Sequence, residues 1–162
     1  MRFAQIAGIF VVLFITFAGT SSSQVVGCSR ADEKAADKSI DPLGSWKEIH
    51  FAYMYFKACD DGGIAEGYSD GIAKIMANHW TSLPRVKPFI KADPAFETWF
   101  IRHLDETNSY DDSMKIDRLA RTACPRGMRE LCIEIHEQIR SYGCDPQFPK
   151  NVACEVQNLE VK

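Results

Sequence analysis

Apolar positions recur along this chain with the spacing of helices, and each run is bounded by its own start and stop signals. In residues 45–59, Trp46, Ile49, Ala52, Tyr53, Phe56 and Cys59 fill one broad arc at about 100° per residue, with Phe51, Met54 and Tyr55 outside it. A helix that is apolar on nearly every side is expected to be enclosed by others. Ser45 followed by Glu48 is a capping box that opens this helix. The turn Asp60-Asp61-Gly62-Gly63 then leads to Ile64, Tyr68, Ile72 and Ile75, whose stripe drifts on to Met76 and Trp80. Pro84 and Pro88 restrict residues 81–93 to a bent or short helix carrying Val86, Phe89 and Ile90.

Asp93-Pro94 reads as an N-cap followed by proline at the first helical position. Phe96, Trp99, Phe100, His103 and Leu104 share one face of the helix that follows. Residues 106–113 read as a polar, acidic loop, and a helix over residues 113–123 turns Ile116, Leu119, Ala120 and Ala123 inward. Cys124-Pro125 breaks that helix and starts the last one, which carries Met128, Leu131, Cys132, Ile135, Ile139 and Tyr142 and ends at Gly143. The expectation is a single all-α bundle of about six helices over residues 45–143, disulfide-linked, with little or no sheet.

The flanks read differently. Residues 1–23 resemble an export signal: Arg2, an apolar run over residues 6–18, then small polar residues. That run is too short to cross a bilayer comfortably. Residues 24–44 read as a flexible leader or tether, because Ile40 and Leu43 are the only large apolar residues from Ser29 onward. Residues 144–162 read as an irregular tail, since Pro146 and Pro149 forbid a regular helix. The formal net charge of -3, or -4 once Arg2 is removed with a signal, argues against a nucleic-acid partner.

Six cysteines in an exported chain are disulfide candidates. Cys144 and Cys154 bracket a proline-containing loop and pair readily. A helix starting at Pro125 separates Cys124 from Cys132 by roughly 12 Å along its axis, beyond disulfide reach. Cys59 therefore belongs with Cys124 or Cys132, and Cys59 with Cys124 is the favoured pair because each sits at a helix end. Cys28 follows Val25-Val26-Gly27, a triplet resembling a bacterial lipobox, although the polar residues 19–24 depart from that pattern. It is either a lipidation site, the only route to the membrane and one that would leave Cys132 a free buried thiol, or a free or disulfide-bonded cysteine.

Catalytic chemistry leaves no motif. His50, His79, His103 and His136 lie on four different helices, without a spacing used by zinc or di-iron sites. His50 and His103 read as hydrogen-bonded core residues. Asp60, Asp61, Glu66 and Asp70 lack the spacing of an EF-hand and read as caps and turns. No cofactor, metal or catalytic residue is expected. Two surface segments stand out as sites for a protein partner. One is Asn108-Ser109-Tyr110-Asp111-Asp112, with Tyr110 as anchor and Asn108, Asp111 and Asp112 as polar neighbours; the alternative is a basic knuckle of Arg85, Lys87 and Lys91.

The motifs Lys57-Ala58-Cys59, Tyr68 and Ala123-Cys124-Pro125 with Leu131 resemble those of the periplasmic immunity proteins that block type VI secretion amidases. The resemblance covers residues 45–140 and implies a partner-blocking role. The expected function is an exported, non-enzymatic protein-binding domain, periplasmic or secreted, acting as an inhibitor or immunity factor against an envelope hydrolase. A lipid-anchored structural or assembly protein of the envelope is the second reading. A small secreted hydrolase is the third, because paired carboxylates meet only in three dimensions.

Overall fold

The structure, a computed structural model, describes residues 27–143. Among them there are seven α-helices and no strand, which agrees with the all-α expectation. The expected export signal and the Cys144 with Cys154 pair lie outside the described residues.

The additional helix is α1, Arg30–Lys38, inside the stretch expected to be a flexible leader. Ser29 caps it, accepting a hydrogen bond from the Asp32 amide, and Ala36 is fully buried. The expectation failed because a few contacts suffice to hold a short helix once a covalent bond fixes its start. That bond is the Cys28–Cys59 disulfide, with Cα atoms 4.8 Å apart. Beyond α1, Ile40 and Leu43 press onto Gly67 and Gly71 so closely that a Cβ at either glycine would lie 2.5 or 2.7 Å from their side chains.

Helix α2, Trp46–Phe56, starts at Ser45 as expected, and a short 3-10 turn, Lys57–Cys59, extends it. The reciprocal half of its cap goes to Gly44, whose amide donates to Glu48 Oε2 at 2.9 Å. Trp46, Ile49, Ala52 and Tyr53 are buried, but Phe51, Met54 and Tyr55 are exposed, so α2 lies at the surface. The enclosed helix is instead α3, Gly62–Asn78, which buries Tyr68, Ser69, Gly71, Ile72, Ala73, Ile75, Met76 and Ala77. Its small residues Ser69, Gly71, Ala73 and Ala77 let neighbours approach from several sides, whereas no described element covers the outer face of α2.

The two prolines bend the next segment as expected, into a 3-10 stretch, Trp80–Val86, and α4, Lys87–Ala92. Helix α5, Ala95–Arg102, begins one residue later than read; Asp93 Oδ1 still caps it by accepting from the Ala95 amide at 3.1 Å. Phe96, Trp99, Phe100, His103 and Leu104 are all buried, as their shared face implied. Helix α6 runs over Tyr110–Thr122 and α7 over Arg129–Gly143, and these two pack along each other.

Two expectations about the last third are corrected. Residues 110–113 are the first turn of α6 rather than a loop, because Ser109 caps it with the Asp112 amide at 3.2 Å. Pro125 does not start the last helix. It sits in a turn closed by the Met128 amide donating to the Pro125 carbonyl at 3.0 Å, with Gly127 at φ +75°. A turn doubles back where a helix would extend, so Cys124 and Cys132 approach to a Cα distance of 6.1 Å and form a disulfide. The expected pair of Cys59 with Cys124 is therefore overturned, and Cys132 is not a free thiol.

Candidate functional site

The outer face of α2 carries an aromatic cluster open to solvent. Phe51, Met54 and Tyr55, at positions i, i+3 and i+4, are 51 %, 49 % and 69 % exposed. Cβ atoms at this spacing are neighbours on a helix surface. The Phe51 and Tyr55 rings stand 4.6 Å apart, and half-buried Phe56 lies 6.0 Å from Phe51. Lys47, one turn before Phe51, and Ala58, one turn after Met54, are exposed as well.

The opposite side of the same helix holds this face rigid. Trp46 packs edge-on against Phe100 at 5.3 Å and donates from Nε1 to Ser82 Oγ at 3.1 Å. Tyr53 donates from its hydroxyl to Asp93 Oδ2 at 2.7 Å, and Lys57 Nζ sits 4.4 Å above the Tyr53 ring. Burial, then the Asp93 hydrogen bond, pushes the Tyr53 phenol up. The Tyr53 hydrogen bond in turn holds the Asp93 carboxyl below its ordinary value. Glu48 is lowered first by the Gly44 amide. The carboxylates bordering α2 are thus ionised and already occupied by internal donors. His50, on the inner flank, is stacked on Phe89 at 4.5 Å and meets Phe96 edge-on at 4.9 Å. Its Nε2 is buried without a hydrogen-bond partner among the described residues, unlike the expected hydrogen-bonded histidine, and burial lowers its pKa.

A second constellation contains the residue types of acyl-transfer catalysis. Ser69 Oγ lies 2.9 Å from His103 Nδ1, and His103 Nε2 lies 3.3 Å from Asp60 Oδ2. Ser69 also donates to Asp105 Oδ2 at 3.1 Å. Trp99 Nε1 donates to Asp60 Oδ2 at 2.7 Å, and Arg102 pairs with the same oxygen. Burial works to raise the Asp60 carboxyl, but His103, Trp99 and Arg102 outweigh it and hold the group below its ordinary value. Ser69 is 1 % and His103 3 % exposed, so neither reaches a substrate in this fold. The cluster is a polar clamp joining α3 to the end of α5, and it places His103 in the core as expected.

The two segments expected to bind a partner are less free than the sequence suggested. Asn108 Oδ1 accepts from the Asp105 amide at 3.1 Å, and Asp112 Oδ2 accepts from Ser109 Oγ at 2.8 Å. Tyr110, 51 % exposed, and Asp111 remain outward on the first turn of α6. The basic knuckle is divided between two clefts. Arg85 lines one of about 280 Å³ with Ser45, His79 and Ser82, while Lys87 and Lys91 line another of about 350 Å³ with Ile90, Glu97 and Met128.

Cys28 is committed to Cys59, and a sulfur in a disulfide cannot carry a thioether lipid, so the lipidation reading is corrected. The two disulfides point to an oxidising, exported environment. Among the described residues no helix is long and apolar enough to cross a membrane. In the sequence the α2 face shows as three bulky residues outside the buried arc, and size alone does not tell an enclosed face from an exposed one. No family model, curated protein or solved structure matches this chain.

Proposed function

We propose that this chain is an exported, non-enzymatic helical domain that binds another protein, as an inhibitor or immunity factor, and that it docks through the outer face of α2. The observation that carries the reading is the exposure of Phe51, Met54 and Tyr55 together on one helix face whose other side is packed. Laying anchors at i, i+3 and i+4 into an apolar groove is a recurring mode of helix recognition. Large aromatic side chains on a rigid support are the usual holders of binding energy. Electrostatics support the same face, since its neighbouring carboxylates have internal donors while Lys47 makes no ion pair among the described residues.

The test is site-specific photo-crosslinking in the producing cell, with the crosslinker replacing Met54. One discrete protein adduct is expected, and it should be lost in the Phe51→Ala/Tyr55→Ala variant. With the captured protein purified, each alanine should weaken binding by about 2 kcal/mol, roughly thirtyfold. Both side chains are exposed, so the variant should melt with the unaltered protein. Binding abolished by charge reversal at Arg85, Lys87 and Lys91, or by Tyr110→Ala, but unaffected by the α2 variant, would transfer the site to the knuckle or to the start of α6.

A further inference from the structure

The geometry points to the Cys28–Cys59 disulfide as a thiol–disulfide exchange site that takes a dithiol as its co-substrate and releases residues 28–43 from the body of the domain. This inference is independent of the docking surface on α2.

The two disulfides differ in access. Cys59 is 4 % exposed, but Cys28 is exposed, and the bond between them borders a cleft of about 820 Å³ lined by Arg30, Lys34, Asp61, Gly62 and Gly63 among others. Among the described residues nothing lies within 4 Å of where a Cβ would stand at Gly62 or Gly63, two residues that line this cleft. Cys124 is half-buried and Cys132 is 3 % exposed, in the core between α6 and α7. Exchange requires a thiolate to reach a sulfur along the bond axis, so access sets which bond opens first.

The segment behind the exposed bond is held by little else. Ala36 is its one fully buried residue, and Ile40 and Leu43 rest half-buried on the surface cut by Gly67 and Gly71. Its polar tie to the body among the described residues is Ser39 Oγ to the Tyr68 hydroxyl at 3.1 Å. Residues 31–35, 37 and 38 are exposed. A unit with few buried contacts opens locally at low cost, ahead of the remainder of the fold.

The exchange is a two-electron transfer. One thiolate of the dithiol attacks Cys28 Sγ, forming a mixed disulfide and expelling the Cys59 thiolate, which takes a proton from solvent. The second thiol loses its proton and closes on the reagent's own sulfur, leaving Cys28 as a thiol and the reagent as a cyclic disulfide.

The full exported chain is titrated with dithiothreitol, quenched by alkylation and mapped by mass spectrometry, with amide hydrogen exchange on the same samples. Cys28 and Cys59 should be labelled at reagent concentrations at least tenfold below those that open Cys124–Cys132. Amides of residues 30–43 should then exchange at least tenfold faster while those of α5, α6 and α7 keep their protection. The unreduced Cys28→Ala/Cys59→Ala variant should show the same exchange pattern. Labelling of Cys124 and Cys132 first, or together with the other pair, overturns the exchange site. Unchanged protection of residues 30–43 in the opened protein overturns the release.

Discussion

His50 buries a ring nitrogen that has no partner among the described residues, between Phe89 and Phe96. Burial makes the charged ring costly, so its pKa in the folded chain lies below the ordinary value near 6.5. The unfolded chain therefore binds more protons in the window just below that value. Stability is fully present above about pH 6.5 and falls as the pH drops toward the folded pKa. Glu48, Asp60 and Asp93, all lowered, lose their contributions further down, as the pH falls below the ordinary carboxylate range. Glu97, raised by burial and by Glu134, acts in the opposite sense. Denaturant titrations from pH 7.5 to 5 should show a decline for the native protein that His50→Phe flattens; an identical decline in the variant would assign it elsewhere. At the clamp, Asp60→Ala strips Trp99 of its buried acceptor and removes the carboxylate facing His103 and Arg102, and it should cost about 3 kcal/mol in the same assay. A loss below 1 kcal/mol would mean that the cluster rearranges or admits water.

One capping pattern recurs at three helix starts: Ser29 with Asp32, Ser45 with Glu48, and Ser109 with Asp112. The middle one was legible because an apolar stripe follows it at once. The other two introduce the polar sequences of α1 and the first turn of α6, where low apolar content argued for flexible chain instead. Composition misled there because a cap and one apolar face are enough when a neighbour lies alongside. Helices α3 and α5 were legible to within two residues, since their stripes are long and their start signals unambiguous. The start of α7 was not, because proline suits a first helical turn and a tight turn equally well, and only packing decides between them. Replacing Ser109 by Ala should cost about 1 kcal/mol. The loss should appear as faster amide exchange at the start of α6, and protection unchanged there would deny the cap its role.

Across the whole molecule, the fold class followed from the periodicities, while the disulfide pattern did not. Pairing depends on where chain ends meet, and an error of four residues at one helix start was enough to exclude the bond that forms. Cys124–Cys132 closes a short loop, worth roughly 2.5 kcal/mol in the chain-entropy account. It anchors the start of α7 to the end of α6, two helices that pack along each other and share Asp117, which meets both Arg121 and His136. Its removal as Cys124→Ala/Cys132→Ala should lower the global unfolding free energy by at least that amount. A smaller change in the denaturation midpoint would show that the α6 and α7 packing already holds the turn closed. The docking face was half legible: its residues were singled out by spacing, but exposure is decided by which neighbours exist, and no single helix encodes that.

Both described disulfides join cysteines that are consecutive in the sequence, Cys28 with Cys59 and Cys124 with Cys132. In a chain that enters an oxidising compartment N-terminus first, Cys59 is the next thiol to arrive after Cys28. That pair can close before any competitor arrives, and Cys132 then finds Cys124 as the nearest thiol still unpaired. Sequential emergence would favour this connectivity over crossed pairings, and alkylation-trapped folding intermediates are expected to contain few crossed bonds.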